Sequence, residues 1–538
     1  MKYFNKIILC TLIVAGCNTK ELQNLNVNPN ATNKINLNFL FSAAELGSAA
    51  GGSAGDNRYI DWRTNIGMCA YAIQQLACGS CPGGISPGDK YTDNFETSNA
   101  PFEFLYGDEL KNIAEILKQT GDGGYDAGNK VNMRNAARIL RAFLFHRLTD
   151  YYGNVPYFEA NQATNLGGAF FPKYDKQSVI YTDLLKELDE ATTALSASNP
   201  DDGFTAGDMI YKGDITKWKK WGDSLMLRLA MRVSNVNAGL ANTYVAKAVA
   251  GGVFASNADN VWVPMALTPS IWTNRNGISR AFYPGDGGQP AFLSKRLVDW
   301  LKGSDPAITT DDDPRLMILT GGIGDWTASA WSPTNIDPLK QKGCPNGLDQ
   351  AQLDAYEGHT VNLNAEYSRI NFKMMQFDDP YMLMNYGEVK LLLAEASERG
   401  IGGQAAAAAQ AHYEAGTRAS MEMYTPFDAT LTVTTAAEDA YLATYSYAAA
   451  SSAQRLTMIG EQLWVNKFLN WWEAWADYRR TGIPALVPVN YPGNETGGII
   501  PTRLKYPSYE VSGNPNFSAG STSPNTYTTK VWWAGGPD

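Results

Sequence analysis

The segment Ile459–Pro484, IGEQLWVNKFLNWWEAWADYRRTGIP, decides how this chain folds. Trp464, Phe468, Trp471 and Trp475 recur at i, i+4, i+7 and i+11, an aromatic stripe at helical period. Trp472 flanks the stripe, and Leu456, Ile459 and Leu463 carry the apolar face back along the same predicted helix. Arg479 and Arg480 fall in its last turn, where cations suit the macrodipole, and Gly482 with Pro484 gives the stop. Four tryptophans in so short a run, each able to bury roughly 150–250 Å², mark a core helix rather than a cofactor site. Asp477 and Arg480 are spaced i, i+3 to pair on the helix surface, and the double arginine suits loop carbonyls, both structural roles.

The whole chain is consistent with a large core. It has 538 residues, 44% apolar and 12% aromatic, with no compositional case for disorder. A net charge of -10 without a basic arm or stripe argues against nucleic-acid partners.

The N-terminus carries an address. Lys2 and Lys6 form a basic region, and Ile7–Gly16 is an apolar stretch too short to span a bilayer. It ends in Val14-Ala15-Gly16-Cys17, the pattern of a bacterial lipobox, so residues 1–16 read as a lipoprotein signal peptide and Cys17 as the lipidated residue. An ordinary secretory signal with a chance cysteine is the alternative. Losing residues 1–16 removes two lysines and no acid, leaving the mature chain still more acidic. Residues 17–34 read as a lipidated, asparagine-rich flexible tether ahead of a body spanning 35–538. The body offers no other apolar run of transmembrane length.

Of six cysteines, Cys10 leaves with the signal and Cys17 takes the lipid. Cys78-Gly-Ser-Cys81 has redox or half-zinc-site spacing, but lacks a βαβ context and a second ligand pair. In an exported chain a Cys78–Cys81 disulfide is the better reading, with Cys69 close enough to leave the pairing open.

Helical periodicity continues through Leu37–Ala49, Ile60–Ala77, Pro101–Gln119, Val131–Tyr151, Lys176–Leu195 and Ile215–Val236. Asp379 as N-cap with Pro380 at N1 predicts a helix running to Gly400, partnered by Gln404–Met423. Between them Val253–Thr360 loses periodicity and reads as an irregular, loop-rich insertion. Several passages resemble one family. Trp472-Glu-Ala-Trp-x-Asp-Tyr-Arg-Arg-Thr-Gly-x-Pro484 resembles the closing helix of the SusD/RagB family, surface lipoproteins of Bacteroidetes that capture nutrients for a TonB-dependent transporter. Asn26-x-Asn-Pro-Asn30, Leu148-x-Asp-x-Tyr-Gly-x-x-Pro-Tyr157, Asp313-Pro-Arg315 and His412-Tyr-x-x-Gly416 resemble further family segments, in order along most of the chain. Lys20-Glu21 resembles the charged export tag of surface lipoproteins in that phylum. The resemblance implies a mostly α fold, with tetratricopeptide-like helix pairs in a single SusD-like body; no strict 34-residue repeat is visible.

Catalytic motifs are missing. There are three histidines, no HExxH, no GxSxG elbow and no P-loop. Asp311–Asp313 lacks EF-hand spacing, so no metal and no cofactor are expected. A glycosidase needs only two placed carboxylates, and nothing singles out a pair among 54 acids. Loop aromatics are the better candidates, because a flat ring offers a face to the C–H surface of a sugar or to an apolar peptide side chain. Tyr91, Trp272, Tyr283, Trp326 and Trp331 are the expected ligand-binding residues; each taken alone also suits plugging a loop onto the body. The expectation, by resemblance, is a non-enzymatic outer-membrane lipoprotein on the extracellular face. It would bind oligosaccharide or peptide and deliver it to a SusC-like transporter. A lipid-anchored glycan hydrolase and a purely structural lipoprotein are the rivals.

Overall fold

The computed structural model describes residues 34–50, 58–79, 86–163, 168–283, 291–326 and 331–538. The expected leader, the expected lipidation site Cys17 and residues 18–33 of the expected tether therefore lie outside the described residues, as does Cys81. The described residues from Asn38 to Asp538 form one compact unit.

Helices dominate. After α1 (Leu37–Ala50) come a π-helical segment Asp61–Ala70, α2 (Phe95–Phe104), α3 (Leu110–Thr120), α4 (Val131–Tyr152), α5 (Gln177–Ala194), α6 (Ile215–Arg232) and α7 (Ala238–Gly251). Two short helices, α8 (Gly277–Phe282) and α9 (Lys295–Leu301), precede α10 (Gln350–Glu357), α11 (Tyr386–Arg399), α12 (Ala409–Glu422) and α13 (Thr435–Thr444). The closing pair is α14 (Ser452–Asn466) and α15 (Trp471–Thr481). Sequence neighbours pack as pairs: α3 on α4, α4 on α5, α6 on α7, and α11 on α12, with α6 also against α5 and α11. This is the expected mostly α body, and its pairing is consistent with a tetratricopeptide-like arrangement.

Short strands tie the loops down: β1 (Leu76–Ala77), β2 (Val155–Pro156), β3 (Tyr174–Asp175), β4 (Val261–Val263), β5 (Phe292–Leu293), β6 (Thr320–Trp326), β7 (Trp331–Asn335), β8 (Ser368–Ile370) and β9 (Tyr381–Met384). One antiparallel sheet runs in the order β1-β5-β8-β6-β7; β2 pairs with β3 and β4 with β9. The loop-rich stretch 253–360 carries short strands among its loops. Four strands lie in its described residues, and Trp326 and Trp331 are backbone register partners across the β6–β7 hairpin.

Three predicted helices need correction, the first being Ile60–Ala77, whose end Leu76–Ala77 is instead strand β1 paired with β5. Helix α11 starts at Tyr386, where the Asn385 side chain accepts from the Glu388 N–H at 2.8 Å. Residues 381–384, Tyr-Met-Leu-Met, instead form β9, buried throughout, because a short apolar run pairs with a strand as readily as it coils. The segment 459–484 is two helices, not one. Leu469 adopts φ 75°, and Asn65 from the π-helical segment satisfies the break. Its amide donates to the Leu469 carbonyl at 3.2 Å and accepts from the Trp472 N–H at 3.0 Å. Trp464, Phe468, Trp471, Trp472 and Trp475 are nevertheless all buried, as the aromatic pattern requires.

The break also turns Lys467 inward. Its ammonium ion-pairs with Asp477 and lies 3.4 Å from Glu388 and 3.5 Å from Glu473. Arg232 ion-pairs with Glu473 and reaches Asp477 at 3.3 Å and Asp150 at 3.5 Å. Arg228 donates to both Glu388 oxygens at 2.7 Å, and Arg480 holds Glu395 at 2.6 and 2.7 Å. The Asp477–Arg480 pair forms at 3.3 Å, but inside the protein. Arg479 donates to the carbonyls of Asp150 at 2.6 Å and Thr502 at 2.9 Å. Burial raises the Glu473 carboxyl, yet Arg232, Arg228 and Lys467 outweigh it and hold the pKa well below the usual range. Burial pushes Lys467 down to about 8 despite its carboxylate neighbours.

Two outcomes follow from this network. Glu473→Gln leaves buried cations uncompensated and should cost roughly 3–5 kcal/mol, read as a shift in the urea midpoint; a loss below about 1 kcal/mol would remove Glu473 from the centre of the fold. For Glu395, burial raises the pKa but Arg480 and Arg399 override it and bring it to about 2, from 4.5. That depressed carboxyl stabilises above pH 4.5, and the contribution fades as the pH falls towards 2, in total roughly 3 kcal/mol. The stability gap between the parent and Glu395→Gln should therefore narrow by that amount over this window; a gap independent of pH would contradict it.

Candidate functional site

The structure separates the five aromatic residues expected at a ligand face. Tyr91, at φ 56°, is only 1% exposed and packs with Val489 and Ile500, so it offers no open ring. Trp272 is 47% exposed, with the Arg280 guanidinium 4.9 Å from its ring centroid. Tyr283 is half-buried and meets Phe377 edge-on at 4.8 Å. Helix α8, which lies between these last two residues, packs on the Asp61–Ala70 segment. Trp326 and Trp331 share a hairpin at the far edge of the sheet from β1. Cys78 is disulfide-bonded, and Cys69, a free buried thiol, is not its partner.

Candidate metal ligands have other duties. His146, Asp150 and Glu473 bring ligand atoms within 4.8 Å of one another, fully buried. Arg232 reaches both carboxylates and supplies the counter-charge there. In the acidic turn, Asp311 accepts from the Ser304 N–H and hydroxyl at 2.9 and 2.8 Å, and Asp313 holds Arg315 at 2.6 and 2.9 Å.

A concave site of 470 Å³ opens beside α9. Gln74, Lys295, Asn346, Gln352, Tyr356 and Asn490 are among its lining residues. Each wall is fixed. Asp89, ion-paired at 3.1 Å with Lys90 and wholly buried, accepts from the Asn346 amide at 2.9 Å and the Gly347 N–H at 3.2 Å. Ser294 donates to Asn346 at 2.7 Å. The Gln74 amide pairs with the Val487 backbone in both directions. A capping box between Asp349 and Gln352 starts α10 and presents Tyr356, 56% exposed, at the rim. Tyr91 lies behind the wall, against Val489.

This lining combines an open phenol face with carboxamides and a neutralised ion pair, Lys295 with Asp299. Such a surface suits a neutral, polyhydroxylated ligand: ring C–H groups lie on the phenol while amides exchange hydrogen bonds with hydroxyls. Tyr356, Gln352 and Asn490 were not among the expected residues. The legible signal was the Asp349-x-x-Gln352 box, followed by a short helix that buries only Leu353 and so leaves an aromatic outward.

Among the described residues no helix is long and apolar enough to cross a membrane. A family profile described as "Starch-binding associating with outer membrane" matches residues 40–507. No curated protein sequence matches the chain. Among solved structures, a chitin-binding protein is 31% identical with a TM-score of 0.75, covering 93% of this chain and 100% of that one. A Bacteroidetes AC2a SusD-like protein is 25% identical with a TM-score of 0.77, over 93% and 100% of the two chains. A chitin-binding SusD homolog from Flavobacterium johnsoniae shares the fold at 23% identity, with a TM-score of 0.69 and 93% and 98% coverage. With a profile spanning most of its length and a relative above 30% identity, this chain belongs to the SusD-like family.

Proposed function

We propose that this protein captures oligosaccharide at the outer face of the outer membrane, tethered by lipid on Cys17, and passes it to a SusC-like TonB-dependent transporter. The observation that carries the ligand class is the cavity beside α9, where an exposed Tyr356 stands among Gln352, Asn490 and Lys295. The starch-binding description of the family and the chitin-binding relative support glycan over peptide, and make chito- and malto-oligosaccharides the first ligands to offer. Trp272, Tyr283, Trp326 and Trp331 remain proposed as further contacts. Binding without catalysis is the reading that fits, because Asp299, the carboxylate lining this cavity, is ion-paired with Lys295. A hydrolase needs one carboxyl kept protonated and a second held opposite.

Removing the Tyr356 ring should weaken oligosaccharide binding by about tenfold, measured by calorimetry on Tyr356→Ala. Unchanged affinity in that variant, with loss in Trp272→Ala or in the Trp326→Ala/Trp331→Ala double variant, would move the site to those rings. For the anchor, Cys17→Ser should shift the full-length protein from the membrane to the soluble fraction. Retention of the parent alone in a mild-detergent pull-down, with no β-barrel partner, would count against delivery to a transporter.

A further inference from the structure

A second cavity of 590 Å³ adjoins the first across α9. Arg296 and Asp299, one turn apart on that helix, line both cavities and form the saddle between them. On the far side the walls include Trp300, Tyr441 and Tyr445, with Gln454, Ser446 and Ala449 towards the opening. The aromatic walls are held in place. The Tyr441 hydroxyl accepts from Gln462 at 2.9 Å, and Gln462 in turn accepts from Arg315 at 2.8 Å. Tyr445 donates to the Asp311 carbonyl at 3.0 Å and packs 4.9 Å from Tyr441. Trp300 stands edge-on to Trp464 at 6.1 Å. At the saddle, Arg296 lies 3.4 Å from Glu461 and Asp299 pairs with Lys295, so the charges there are internally neutralised.

We infer that the two cavities are subsites for one extended oligosaccharide laid across α9, with rings in both and the saddle beneath its middle. This rests on the glycan-binding reading above and adds chain length to it. Both hollows set aromatic rings beside carboxamides, and neither adds an unpaired charge at the saddle. Crossing a helix with its side chains takes about 10 Å, more than a single sugar ring spans. A chain of up to three sugars therefore fills one cavity, whereas a longer chain reaches both. The additional aromatic contact is gained only by the longer chain, so affinity should climb with length and then level off.

The test is a calorimetric length series, from dimer to octamer, on the parent and on Ala449→Trp. Ala449 is an exposed residue at the second cavity alone, and an indole there plugs that cavity without disturbing the core. The parent should bind a hexamer about tenfold more tightly than a trimer. Ala449→Trp should erase that gain while leaving the trimer affinity as it was, and Gln454→Ala should reduce the gain in part. No rise with length in the parent, or a rise that survives Ala449→Trp, overturns the two-subsite inference while leaving glycan capture standing. Failure of every length to bind overturns the glycan reading itself.

Discussion

One buried carboxylate, Glu473, organises this molecule. Fully buried, it pairs with Arg232, Arg228 and Lys467, at a depth where an unpaired charge costs several kcal/mol. Those partners come from α6 and from the break ahead of α15, and through Arg228 and Lys467 the network extends to Glu388 on α11. Helix pairs that stack side by side could slide by a turn with little loss of apolar contact. Charges that must meet inside a low-dielectric core allow one register only. The hub thus locks the early helices, the late pair and the closing helix into a single arrangement.

The same closing segment builds the proposed ligand face. The Trp464 indole donates to the Ile73 carbonyl at 3.0 Å, and Gln75 donates to the Trp464 carbonyl at 2.6 Å. Between them Gln74 is held at φ 54° with its amide clasping Val487. Helix α14 therefore sets the position of one cavity wall, while Trp300 leans on the same tryptophan from the second cavity. Rigid support of this kind limits what is lost in ordering when a ligand binds.

Legibility in the sequence varied with the range of the interaction. Aromatic spacing identified the buried rings around Trp464–Trp475, because side-chain burial on a helix is a local periodicity. The break at Leu469 was invisible, since the group that satisfies it, Asn65, is some four hundred positions away in the chain. The same holds for β9: nothing local distinguishes Tyr381–Met384 from the first turn of a helix until β4 is beside it. Of the expected ligand residues, Tyr91 is buried behind the cavity while Tyr356 lines it exposed, because exposure is a property of the packed molecule.

The sequence by itself determined the helical class, the core helix region, the absence of familiar catalytic motifs and the resemblance to SusD-like proteins, each written in residue type and short spacing. Only the tertiary structure decided which arginines became a buried hub, where the closing helix breaks and which loops meet around α9. Those features depend on groups brought together from distant parts of the chain. Their energies arise from desolvation and close contact, which exist only once the helices have packed.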